Sequence, residues 1–159
     1  MMKGRSMDMS QFKFKTQVRV RNYEVDWQGI VHNANYLLYF EVGRIEYLKQ
    51  LRVKIDINTI QNASKVVLVR NEVNYRSPAR FDDLLDVHTR ISYIKETSFV
   101  FEGIIESVTS KSIIADNTAI HVWLRPGSRE PMRVPDSFRQ TVREFEGSSL
   151  QIVDARSKS

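Results

Sequence analysis

Between Ala34 and Leu51 the chain runs without a proline, and Leu, Tyr, Phe, Val and Ile occupy most of the circumference of the helix it would form. A helix that is apolar nearly all round must be covered nearly all round. That single demand constrains the fold most, because the remaining chain has to wrap this segment. Asn33 or its neighbour is the expected N-cap. The other patterned stretches repeat every two residues. From Phe12 to Arg21, Phe12, Phe14, Thr16, Val18 and Val20 alternate with Lys13, Lys15, Gln17, Arg19 and Arg21, the signature of a strand with one buried and one wet face. Four more such stretches come after the helix. Val67, Val69, Val73 and Tyr75 share a face in the first, and Leu85, Val87, Ile91 and Tyr93 in the second. Phe99, Phe101 and Ile105 mark the third, and Ile113 to Leu124 forms the fourth. The links SPARFDD, KETS and VTSK are short, so successive strands are expected to pair as antiparallel hairpins. Ser137 and Gln140 fit a capping box before a short helix that stops at Gly147. The spacing therefore predicts an α+β fold: a long buried helix wrapped by an antiparallel sheet of about five strands, plus a short C-terminal helix. Residues 1–147 are expected to form a single domain and 148–159 a loose tail.

The 159 residues match about one domain, and 42% hydrophobic with 27% charged is an ordinary globular balance. No apolar run approaches the ~18 residues of a membrane span, and the polar first residues lack a secretory signal's apolar stretch. Cysteine is absent, which removes disulfides, Cys-ligated metal clusters and a thiolate nucleophile, and makes a cytoplasmic location the expectation. Residues 1–21 hold six basic side chains against Asp8 alone and account for the net charge of +5. Beyond them the charges cancel, so a nucleic-acid partner is not expected.

The segment Tyr23–Tyr36 gathers polar groups where the chain enters its most apolar element. Amide N–H groups at a helix start lack intrahelical partners and can receive an anion or a developing oxyanion. A carboxylate such as Asp26 just upstream could attack, could activate water, or could merely bond turn amides. There is no Gly-x-Ser-x-Gly elbow and no phosphate-binding glycine loop. The three histidines lack i, i+4 or His-x-His spacing, so no metal site is expected, and His88 and His121 are expected to be structural. Glu41 and Arg44, three apart on the helix, are expected to pair.

The stretch Tyr23-x-x-Asp26-x-x-Gly29-Ile30-Val31-x-Asn33-x-x-Tyr36-Leu37-x-Tyr39-Phe40-Glu41-x-x-Arg44 resembles the signature of the hotdog-fold acyl-CoA thioesterases, closest to the 4-hydroxybenzoyl-CoA thioesterase group. The resemblance implies a helix wrapped by a curved sheet, subunits paired sheet edge to edge, and active sites at the dimer interface. It assigns Asp26 as nucleophile or general base, and the loop and helix start from Gly29 through Ile30, Val31 and His32 to Asn33 as oxyanion donors or substrate-positioning groups. Tyr23 and Tyr36 flank that site. Many relatives carry histidine at the position of Asn33; here His32 sits one place earlier, which leaves it as a substrate contact, a helix-entry bond or neither. Coenzyme A belongs to the substrate and no separate cofactor is implied. With no glycine cradle for its phosphates, Arg76, Arg80, Lys95, Thr97, Ser98 and Arg125 are the candidate contacts.

The expected activity is hydrolysis of an acyl-CoA thioester to a carboxylic acid and a free thiol. The rival is a hotdog protein that binds acyl-CoA or acyl carrier protein without hydrolysis. Both sides of the strands around Phe99–Ile105 and Ile113–Leu124 are apolar, more than one helix can cover, so a homodimer or tetramer is expected.

Overall fold

A computed structural model describes residues 7–53 and 65–153. Helix α1 spans Asn33–Gln50, with His32 as N-cap. Its buried positions are Tyr36, Tyr39, Phe40, Gly43, Arg44 and Tyr47, the three-and-four spacing of one face. Gly43 lets that face settle on the sheet: a Cβ there would lie 2.6 Å from Thr89 Oγ1 and 2.7 Å from Val87 Cγ1. Complete coverage is not reached within one chain. Leu37, Leu38, Val42 and Ile45 stay exposed, because the sheet reaches only one side of the helix.

The sheet contains β1 (Phe14–Arg19), β2 (Lys65–Tyr75), β3 (Leu84–Ile94), β4 (Ser98–Ser107), β5 (Ile113–Leu124) and a short β6 (Gln151–Ile152). Its order is β1-β3-β4-β5-β2, antiparallel throughout, with β6 parallel to the end of β3. The β3–β4–β5 hairpins are as expected, but β2 does not pair with β3. It lies beyond β5, at the edge opposite β1. The segment SPARFDD is a crossing, not a turn. The amides of Arg76 and Ser77 donate to Ile114 O, Val31 N donates to Ala79 O, and Arg80 bridges Ile30, so the link passes beside the loop that leads into α1.

Three register shifts alter the expected faces. Val69 is an extra residue between Leu68 and Arg70, so Val67 stands opposite the outer Val122 whereas Val73 and Tyr75 face Asn117 and Ala115 on the helix side. Ser92 does the same in β3 and turns Tyr93 away from the face that Leu85, Val87 and Ile91 share. Ile114 does it in β5, separating Ile113 from Ala115. A bulge places two residues against one, and each parity after it inverts. The first strand is also shorter than Phe12–Arg21. Phe12 crosses to the outer face, its ring 6.4 Å from that of His88 and 5.6 Å from the Arg90 guanidinium carbon. Lys13 turns the other way and donates to Phe145 O at 3.2 Å and Glu146 O at 2.9 Å.

Those carbonyls end helix α2, Asp136–Glu146, where a cation meets the negative end of the helix dipole. Pro135 is its N-cap and no side-chain cap bond forms, so Ser137 and Gln140 do not make a capping box; Ser137 lies within the first turn. Gly147 stops the helix as expected, at φ +70°. The expected tail is corrected as far as Val153. Residues 147–149 form a single turn, β6 joins the sheet, and Leu150 and Ile152 pack on the core, since apolar side chains there have a surface to cover. Residues 154–159 lie outside the described part.

Between helices and sheet lie two apolar clusters. One joins Tyr36, Tyr39 and Phe40 to Leu85, Val87 and Ile105; the other joins Tyr47, Ile91, Phe99, Phe101 and Phe138. Tyr47 OH donates to Glu146 Oε2 at 2.7 Å, and burial pushes that carboxyl above its ordinary range. The expected Glu41–Arg44 pair does not form. Glu41 faces out, whereas Arg44 lies on the buried face and donates to Asn117 Oδ1 at 3.2 Å.

His121 stacks on Phe99, ring centroids 5.5 Å apart. Burial first, and the Arg44 charge second, lower its pKa from 6.5 to about 4. A depressed folded-state pKa means that the unfolded chain takes up the proton first. His121 therefore stabilises the fold above about pH 6.5, and that contribution fades as pH falls toward about 4. The urea midpoint should drop across this window, and by less in His121→Gln; equal slopes in the two proteins would refute the assignment.

Candidate active site

The loop from Tyr23 to His32 is a small hairpin whose ends, Val25 and Val31, bridge each other. Asp26 N donates to Ile30 O and Gly29 N to Asp26 O, both at 2.9 Å. Gly29 takes φ +79°, a backbone shape that other residues adopt at a cost. The exposed Asp26 carboxylate uses Oδ1 alone for the turn, accepting from Gln28 N at 2.8 Å and Ile30 N at 3.2 Å. Oδ2 has no partner among the described residues. One oxygen is thus held by backbone while the other faces solvent.

Beneath the hairpin, Glu24 is buried. Its carboxylate accepts from Arg21 N at 2.8 Å and pairs with the Arg21 guanidinium at 3.4 Å. Its carbonyl accepts from Asn35 Nδ2 at 2.7 Å and His32 N at 3.0 Å, tying the loop to the first turn of α1. Sequence reasoning passed over Glu24 and Asn35, which sit within the signature but fill positions that it leaves blank.

The amides expected as anion donors divide sharply. Gly29 N, Ile30 N, Val31 N and His32 N are spent on Asp26 O, Asp26 Oδ1, Ala79 O and Glu24 O. Among the described residues Asn33 N has no acceptor, and Ala34 N has only a long 3.4 Å bond to His32 Nδ1. His32 is therefore a helix-entry group, with its Nε2 left to carry the ring proton. Tyr36 is packing: it is buried, accepts from Ala79 N at 3.2 Å, and meets Tyr39 and Tyr75 edge to face. Tyr23 is exposed, with the Arg21 guanidinium carbon 5.0 Å from its ring centre.

The six candidate phosphate contacts fall into two groups. Arg76 and Arg80 lie on the crossing segment beside the Asp26 loop, Arg76 already paired to Asp116 at 2.9 Å. Lys95, Thr97, Ser98 and Arg125 gather at the other end, where Trp123 N donates to Thr97 O. The length of β5 separates the groups by roughly 36 Å. One chain does not bring them together.

The sequence reading also missed an apolar surface beside the loop. Trp27 is 91% exposed and Phe81, whose amide donates to Gly29 O, is 55% exposed. Phe81 lines an open groove of about 620 Å³ with Val18, Val20 and Val42, rimmed by Arg19 and Arg21.

Residues 20–142 match the family model described as thioesterase-like superfamily. This chain belongs to that superfamily. The chain is a thioester hydrolase with the hotdog fold: a long helix held by one curved antiparallel sheet. A protein of Escherichia coli O6:H1 named acyl-CoA thioester hydrolase YbgC is 30% identical over 83% of this chain and 95% of its own length. The chloroplastic acyl-acyl carrier protein thioesterase ATL3 of Arabidopsis thaliana is 30% identical over 86% of this chain and 70% of its own. A thioesterase from Thermus thermophilus, solved with coenzyme A and Zn, superposes with a TM-score of 0.75 at 29% identity, covering 87% of this chain and 98% of that one. Among the described residues no helix is long and apolar enough to cross a membrane.

Proposed function

We propose that the protein hydrolyses acyl-CoA thioesters, with Asp26 as the catalytic carboxylate. The observation that carries this is the division of labour within one side chain: Oδ1 is fixed by turn amides, and Oδ2 is bare in the hairpin that leads into α1, whose first N–H is unaccepted. Oδ2 either attacks the thioester carbonyl or takes a proton from the water that does. The new bond joins the attacking oxygen to the acyl carbon, the C–S bond breaks, and the thiolate of coenzyme A takes up a proton. When Asp26 attacks, water then cleaves the resulting anhydride. Negative charge on the carbonyl oxygen is met at the helix N-terminus, where the N–H of Asn33 is the unspent donor, helped by Ala34 and the helix dipole. The chemistry asks for no resident cofactor.

A dimer fits this arrangement. Edge strand β2 exposes Val66, Leu68, Val69 and Tyr75, and an apolar edge without a neighbour invites a second copy. Antiparallel pairing of β2 with itself across a two-fold axis carries the far end of the partner's sheet toward this chain's Asp26 loop. The split between Arg76 and Arg80 on one side and Lys95, Thr97, Ser98 and Arg125 on the other then becomes two halves of one phosphate-binding surface.

The match to a carrier-protein thioesterase gives the second reading, an acyl group delivered on a carrier protein. Steady-state hydrolysis of the same acyl chains on coenzyme A and on a carrier protein tests both. Higher kcat/KM on coenzyme A, falling with added salt, supports the proposal. Preference for the carrier replaces it, and turnover of neither refutes hydrolysis of both thioesters.

A further inference from the structure

Away from the Asp26 loop, potential ligand groups meet on the outer face of the sheet. Asp86 and His88 are two apart on β3 and so share a face, and Glu106 on β4 stands directly opposite Asp86. One ligand atom from each lies within 4.8 Å of the other two. The Asp86 side chain is only 2% exposed.

Two carboxylates opposite each other on neighbouring strands repel. Among the described residues one fixed cation meets them: Lys15 Nζ, 3.3 Å from Asp86 Oδ2. Gln17 Nε2 donates to Asp86 Oδ1 at 3.0 Å, and the neighbouring Arg90 is taken by Glu102 at 2.7 Å. With His88 neutral, the cluster keeps one negative charge in excess. His88 Nε2 stands 3.3 Å from Glu106 Oε1, a long hydrogen bond. That distance is also the ~3.3 Å separation of two ligands that share one tetrahedral ion at about 2.05 Å.

We propose that Asp86, His88 and Glu106 form a binding site for a divalent cation of the zinc class. One imidazole nitrogen and two carboxylate oxygens suit such an ion better than calcium or magnesium, which favour all-oxygen shells. Water completes the four-coordinate sphere. Glu106, half-buried, closes the remaining distance by rotating, and the Lys15 side chain, 56% exposed, swings into solvent. The ion ties β3 to β4 and takes no part in hydrolysis, so this proposal stands apart from the assignment of Asp26.

Calorimetric titration of the full chain with zinc sulfate at neutral pH tests it. The expected result is one zinc per chain with Kd below about 10 µM. His88→Ala and Glu106→Gln should each weaken binding at least tenfold, Lys15→Ala should tighten it, and His32→Ala should leave it unchanged. Zinc should raise Tm in the parent protein and not in His88→Ala, because a ligand stabilises the state that binds it. Should His88→Ala fail to fold, the Lys15→Ala result and an anomalous zinc peak between β3 and β4 carry the decision. Absence of binding at about 100 µM zinc, unaltered affinity in folded His88→Ala, or loss of binding in His32→Ala would overturn the site.

Discussion

Asp26→Asn is expected to lower turnover at least a hundredfold and to leave the fold intact. An amide side chain retains an Oδ1 acceptor for Gln28 N and Ile30 N, so the turn survives. What it loses is the bare oxygen that attacks or takes a proton, and such contributions are on the order of a hundredfold or more. Asp26→Ala separates the two duties of the side chain. It deletes the turn bonds as well, and should add a loss of stability of about 1 kcal/mol that the Asn variant does not show. Initial rates with saturating thioester, beside urea unfolding of all three proteins, are the measurements. If folded Asp26→Asn keeps more than about a tenth of parental turnover, the carboxylate is a turn residue and the reaction runs elsewhere.

The largest effect on stability is expected for Phe99→Ala, about 3–5 kcal/mol. The ring is buried and touches four others: Phe138 at 5.0 Å, His121 at 5.5 Å, Phe101 at 5.6 Å and Trp123 at 6.1 Å between centroids. It fills the junction of β4, β5 and α2, and removing it leaves a cavity whose walls belong to three elements that cannot collapse independently. Against a typical total of ~5–15 kcal/mol, the variant should sit near the edge of folding at 37 °C. Phe99→Leu refills most of the volume and should cost clearly less. Urea midpoints measure both, and an Ala variant within about 1 kcal/mol of the parent would show that the junction relaxes.

Helix α1 was legible within one residue at each end because its signals are local: no proline, three-and-four spacing, and capping residues nearby. The existence of β1 to β5 was legible for the same reason, whereas β6 fell in the expected tail. Strand order was not. The eight residues after β2 read like a turn, and it takes the amides of Arg76 and Ser77 on Ile114 O, with Val31 N on Ala79 O, to reveal a crossing. Bulges at Val69, Ser92 and Ile114 leave no mark in composition, yet each inverts the face of the residues beyond it. Lys13 looked like a solvent-facing partner of Lys15 because the carbonyls that bind it lie over 130 residues away. The Asp26 loop stood out through the density of its signature, but which amides remain unspent depends on the Ala79 strap and on Glu24. The sequence reading weighed only spacing between histidines, expected no metal site and so passed over the cluster that begins with Asp86-x-His88. Its third member needed the β3–β4 register.

The bond from Lys13 to the end of α2 has a consequence for how the molecule opens. The first strand is held by the last helix, and the chain then returns through β6 to β3, the same strand on which β1 is laid. Neither end of the described chain can peel away alone, since loosening β1 uncovers the carboxyl end of α2, and loosening α2 frees the residue that anchors β1. Fraying, the ordinary low-energy route into a small protein, has to break the bonds of one ammonium group from either side. Amide exchange in β1 and β6 should therefore follow the global unfolding free energy more closely than edge strands usually do.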